Sequence, residues 1–173
     1  MEIINANKYE ELSKQAADII LTQIKINPFS VLGLATGSTP LGTYKELIKS
    51  YNEKLVYFKN IKTVNLDEYV GLSPDNPQSY RYFMNHNLFD FLDIKKENTF
   101  VPNGCAKNIE SEAENYDNII KNLGGIDLQL LGIGLDGHIG FNEPSNCFFK
   151  NTHTVNLTPS TIKANSRFFK NEE

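Results

Sequence analysis

Apolar residues return at helical spacing through residues 9–24, where Leu12, Ala16, Ile19, Ile20 and Ile24 predict one buried stripe. Pro28 closes that helix, and the apolar run at 29–34 predicts a buried strand. Helical spacing resumes at Leu41, Tyr44, Leu47 and Ile48, and residues 61–66 predict a second strand. A Pro- and Asn-bearing loop at 73–77 precedes an aromatic-rich helix over 79–92, whose rings suit packing better than base stacking. A short strand at 99–101, a helix at 110–123 and a Gly-bounded apolar run from Asp127 come next. Residues 153–157 predict another strand, and 159–169 a short helix. Strands and helices thus alternate. That order predicts an α/β fold: a three-layer α/β/α sandwich around a mostly parallel, Rossmann-like sheet with right-handed crossovers.

Composition narrows the class. At 173 residues, 40% hydrophobic and 22% charged, the chain suits a single domain, 1–173, with a sizeable core. The net charge of −4 comes without a basic stripe, which argues against nucleic acid as a partner. Cys105 and Cys147 form no C-x-x-C pair, so neither a disulfide framework nor a zinc site is expected. No apolar run reaches membrane-spanning length and the N-terminus lacks the pattern of a signal peptide, so a cytoplasmic location is expected.

The chemistry concentrates where strands end, the rim at which open α/β sheets bind ligands. The run Gly132-Ile133-Gly134-Leu135-Asp136-Gly137-His138-Ile139-Gly140-Phe141-Asn142-Glu143 delivers Asp136, His138 and Glu143 within eight positions. A His flanked by two carboxylates there is placed for proton transfer, although each residue alone would suit a solvated turn. Gly132-x-Gly134-x-x-Gly137 matches a dinucleotide fingerprint by letter. Phe-Asn-Glu-Pro follows where a helix should open, and position 157 is Leu rather than an acid, so the match is spurious. After the first strand, Thr36, Gly37, Ser38 and Thr39 precede a helix, an arrangement that suits either an anion cradle or an ordinary N-cap. The second strand ends on Asp67, a candidate base if burial raises its pKa, or a carboxylate bonded to its own loop. Lys163 and Arg167 could close over an anion or form a solvated face.

Taken together, the stretches Leu32-Gly33-Leu34-Ala35-Thr36-Gly37-Ser38-Thr39-Pro40, Asn65-Leu66-Asp67-Glu68-Tyr69-Val70-Gly71-Leu72, Gly134 to Pro144 and Ala164-Asn165-Ser166-Arg167-Phe168-Phe169 resemble the glucosamine-6-phosphate deaminase (isomerase) family, in order and along nearly the whole chain. The resemblance implies conversion of glucosamine 6-phosphate to fructose 6-phosphate and ammonia. It makes His138 the ring-opening group, oriented by Asp136 and Glu143. Asp67 would move a proton from C2 to C1 through an enolamine. Thr36, Gly37, Ser38, Thr39 and Arg167 would hold the phosphate. Neither a metal nor an organic cofactor is implied. The expected partner is the sugar phosphate, with no membrane, and a homo-oligomer stays open. The alternatives are a 6-phosphogluconolactonase-like hydrolase with His138 as base, or a non-catalytic sugar-phosphate-binding module.

The resemblance also implies a C-terminally incomplete domain, with residues 157–173 starting an active-site lid and the final third of the family domain absent. Residues 146–149 and 153–155 do not resemble the allosteric stretch of hexameric relatives, so control by N-acetylglucosamine 6-phosphate is not expected.

Overall fold

A computed structural model describes residues 1–134, 136–147 and 149–165. Helix α1 (Tyr9–Ile26) carries Glu10 and Glu11 in its first turn and Lys25 in its last, the favourable sense for the helix dipole. Its buried face is Ser13, Ala17, Ile20 and Ile24. That face is rotated from the predicted stripe, leaving Leu12 and Ile19 exposed at 46% and 49%. The cause is a close crossing with α2 (Leu41–Asn52): a Cβ added to Gly42 would stand 2.1 Å from the Ser13 hydroxyl oxygen. Small residues therefore decide which face docks, and the larger aliphatics are turned outward.

The described residues form a four-stranded parallel sheet of β1 (Val31–Leu34), β2 (Lys62–Asn65), β3 (Thr99–Phe100) and β4 (Leu128–Gln129). The spatial order is β3-β2-β1-β4. Leu32 pairs with Thr63 on one side and Leu128 on the other. The chain steps outward from β1 to β3 through α2 and α3 (Tyr80–Asn87), then returns past two strands through α4 (Ile109–Asn122). Right-handed crossovers put α2 and α3 on one face of the sheet and α4 on the other. This is the expected α/β/α layering. The reversal of direction beside β1 opens a crevice at the carboxyl ends of β1 and β4.

Leu32 and Leu34 enter a core with Ala17, Ile20, Ile24, Tyr44, Leu47, Met84 and Leu88. Removing a side chain as deeply buried as Leu47 costs about 2–5 kcal/mol. Beyond that cluster, the Tyr116 hydroxyl of α4 donates toward the carbonyls of Asn65 (2.8 Å) and Phe100 (3.1 Å) and accepts from the Asn65 N–H (3.1 Å). One side chain thereby secures the last residues of β2 and β3.

Two predicted elements differ. The helix expected over 79–92 ends at Asn87, because Leu88 leaves helical geometry at φ −146° before a 3-10 turn at Phe89–Phe91. That break buries both Leu88 and Phe89. Residues 153–157 are not a strand. Their approach is held by side chains instead, with Thr152 N–H and Oγ1 donating to Asp117 Oδ1 of α4 at 3.0 and 2.6 Å. A strand requires a backbone ladder, and the described residues offer this segment none. The chain continues into α5 (Pro159–Asn165), the start of the expected 159–169 helix.

Candidate active site

Three loops leave the carboxyl ends of β1, β2 and β4 toward one rim. In the first, Gly37 sits at φ +92°, a conformation that side-chain-bearing residues rarely adopt. The cap of α2 is Pro40, which makes no side-chain cap bond, so Ser38 and Thr39 are not its N-cap. An unexpected residue fixes this loop. Tyr9 of α1 donates its hydroxyl to the Thr39 carbonyl at 2.8 Å and accepts from the Gly42 N–H at 2.8 Å. Ser38 and Thr39 are exposed, and Thr36 and Gly37 partly so.

The second loop carries Asp67. Its carboxylate lies against the third loop: a Cβ on Gly140 would stand 3.3 Å from Asp67 Oδ2. Burial first, and the neighbouring Glu68 charge second, push the Asp67 carboxyl up to about 7. Part of the residue remains accessible, so this is a crowded carboxylate with an open side. Glu68 is fully engaged. Its Oε1 accepts from the N–H groups of Tyr69 and Tyr80, and its Oε2 from the N–H of Arg81, each at 2.9 Å. Tyr69, Tyr80 and Phe141 form an aromatic cluster with centroid separations of 4.9, 5.2 and 5.7 Å. That cluster joins the second loop to the third. Burial and then the Asp67 charge push the Tyr80 phenol far above its usual range, with the Thr36 hydroxyl acting the other way.

The third loop turns tightly. Gly134 donates its N–H to the His138 carbonyl at 2.8 Å, and a Cβ at position 134 would stand 2.3 Å from the imidazole Cε1. Only glycine lets the ring lie there. Asp136 Oδ1 is 2.5 Å from His138 Nδ1 and also accepts the His138 backbone N–H at 3.3 Å. Desolvation acts to raise the Asp136 carboxyl, but these bonds to His138 outweigh it and hold it below the usual carboxylate range. Glu143 is also held low. Desolvation opposes this, and the Thr161 hydroxyl, the Thr158 N–H and hydroxyl and the His138 charge overcome it. Thr158 N and Oγ1 each stand 3.1 Å from Glu143 Oε1, which ties the loop to the entrance of α5.

Asp67, Asp136, His138 and Glu143 are thus brought to one rim, Asp67 by its contact with Gly140. Thr36 joins them through Tyr80. Arg167 lies outside the described residues. The donor atoms of Asp136, His138 and Glu143 lie within 4.8 Å of one another, close enough to hold a divalent cation. The Asp136–His138 bond already commits Nδ1, so proton handling is the direct use of this set. A cavity of about 490 Å³ between residues 66–70, α4 and residues 149–157 shares only Asp67 with the candidate residues, so it is a neighbouring space rather than the constellation itself. The roles of Tyr9 and Tyr80 escaped the sequence reading, since their partners are distant in the chain, Gly42 lying 33 positions from Tyr9. Glu68 stood out as an acid at the strand end, but not as the clamp on α3. No helix among the described residues is long and apolar enough to cross a membrane.

Residues 6–159 match the family of glucosamine-6-phosphate isomerases/6-phosphogluconolactonase, and the chain belongs to it. Within that family it is 62% identical to a glucosamine-6-phosphate deaminase of Lachnoclostridium phytofermentans, across 98% of this chain and 72% of the relative. It is 57% identical to the deaminase of Geobacillus sp. (strain WCH70), across 98% of this chain and 67% of that protein. Among solved structures, a monomeric glucosamine-6-phosphate deaminase of the NagB superfamily superposes with a TM-score of 0.97 at 48% identity, covering 99% of this chain and 71% of that one. A 6-phosphogluconolactonase from Thermotoga maritima shares the fold, with a TM-score of 0.65 at 22% identity over 80% of this chain and 61% of its own.

Proposed function

We propose that the chain is an aldose–ketose isomerase and deaminase that converts glucosamine 6-phosphate and water to fructose 6-phosphate and ammonia. The phosphate sits on residues 36–39 at the start of α2, where a helix N-terminus favours an anion. The resemblance to the family gives Arg167 as a second phosphate ligand. His138, oriented by Asp136 and Glu143, moves a proton between the anomeric hydroxyl and the ring oxygen, which opens the pyranose. Asp67 then removes the C2 proton beside the C1 aldehyde, leaving an enolamine, and returns a proton to C1. Water hydrolyses the resulting imine at C2, releasing ammonia and leaving the ketose.

The observation that carries this reading is Asp67. A carboxyl pushed up to about 7, resting against the loop that bears the Asp136–His138 pair, suits a base that must take and return one proton. The lactonase alternative gives Asp67 no task, and the relatives named above at 48%, 57% and 62% identity are deaminases. Ammonia release from glucosamine 6-phosphate in deuterated water tests the proposal. Wild type exchanges the C2 hydrogen and releases ammonia, whereas Asp67→Asn does neither while still binding the sugar phosphate. Turnover by that variant would remove Asp67 from the mechanism.

A further inference from the structure

We propose that Glu68 is a positioning residue for the carboxylate of Asp67, anchoring it to the start of α3 and fixing a negative charge beside it; this rests on the reading of Asp67 as the base. The geometry is specific. Glu68 spends both oxygens on three N–H groups at 2.9 Å, one its immediate neighbour Tyr69 and two in the first turn of α3. With Ser79 Oγ accepting the Tyr82 N–H at 3.0 Å, the start of α3 is satisfied by side chains. A carboxylate bonded to a helix N-terminus is held by charge-assisted bonds and by the helix dipole. The main chain at position 68 is therefore fixed from the far side of the 70–78 loop, and Asp67, one residue away, inherits its placement. A crowded base misplaced by 1 Å loses on the order of 100-fold in rate.

The same carboxylate is the second cause of the raised Asp67 pKa, after burial. The other titratable groups around Asp67 are the phenols of Tyr69, Tyr80 and Tyr116, with Arg81 beyond Glu68, and, lining the neighbouring cavity, Glu112 and Asp117 of α4, Lys150 and His153. The 136–143 loop, packed on it at Gly140, adds Asp136, His138 and Glu143. Among these, Glu68 alone is the adjacent residue and is bonded to a rigid element.

Two variants separate the charge from the anchorage. Glu68→Gln keeps one of the two acceptor oxygens, able to hold the Tyr69 and Tyr80 N–H groups, and removes the charge, so the acid limb of the kcat/KM profile for ammonia release moves to lower pH. Glu68→Asp keeps the charge and shortens the reach, so kcat falls about 10-fold or more with KM within about twofold and the acid limb unmoved. Independently of turnover, the carboxyl carbon of Asp67 is titrated by 13C NMR in both variants and in wild type. A lower midpoint in Glu68→Gln supports the proposal. An unchanged midpoint together with an unmoved acid limb overturns it and leaves Glu68 a helix cap only. If wild type releases no ammonia, the functional reading fails, while the carboxyl titration still decides the role of Glu68.

Discussion

Asp67 and Asp136 follow strands on either side of β1, yet their surroundings drive them in opposite directions. Asp67 directly follows β2, and its loop is clamped to the start of α3 by Glu68. The loop of Asp136 is exposed, glycine-punctuated and held mainly by its own turn and by Thr158. One carboxyl is kept protonated well toward neutrality, and the other is kept ionised against an imidazole. Identical side chains are thus given different chemistry by desolvation in one place and hydrogen bonding in the other. Asp67 is anchored through its neighbour to a helix start, whereas Asp136 and His138 sit on a loop open to solvent.

The sharpest way to break this contrast is Asp67→Asn. Turnover falls about 1,000-fold, within the range for loss of a general base, as read by ammonia release. Stability moves the other way. The folded chain keeps Asp67 protonated up to about pH 7, while the unfolded chain releases that proton near 3.8, so ionisation costs the native state stability as pH rises between these values. The melting temperature of Asp67→Asn therefore exceeds that of wild type at pH 8 and converges with it near pH 4. A variant equally stable at both would remove the burial argument.

On the opposite loop, Gly134→Ala drives a methyl into the imidazole of His138. Turnover drops on the order of 100-fold with little loss of stability, because the loop is exposed; kcat and thermal unfolding measured together check this. Tyr116→Phe reverses that pattern. It leaves the Asn65 N–H without its acceptor and costs about 1–3 kcal/mol in urea unfolding. Thr158→Val gives the smallest change, a few-fold loss in kcat, since Glu143 loses one hydroxyl donor and keeps the backbone N–H.

Much of the molecule was legible in the pattern of its residues. The alternation of apolar runs with 3.6-residue periodicity gives the parallel sheet, and Gly punctuation around Asp136 and His138 locates the loop at the sheet's rim. What escaped lies in contacts distant in sequence. Ser13 and Gly42 rotate α1 away from its most apolar face, which no single-helix pattern contains. Residues 153–157 have the composition of a strand and lack a ladder partner among the described residues. Glu68 reads as a second loop acid until the start of α3 is set beside it.

The clamp at Glu68 has a consequence for how the chain can vary. It joins position 69 directly to positions 80 and 81, so residues 70–78 form a side branch off a closed circuit. Whatever that branch does, Asp67 and α3 keep their spacing. Changes in its length or composition are then free to reshape the neighbouring surface without moving Asp67 relative to α3. A site whose reactive group is anchored by a shortcut of this kind can gain new recognition at low risk to its chemistry.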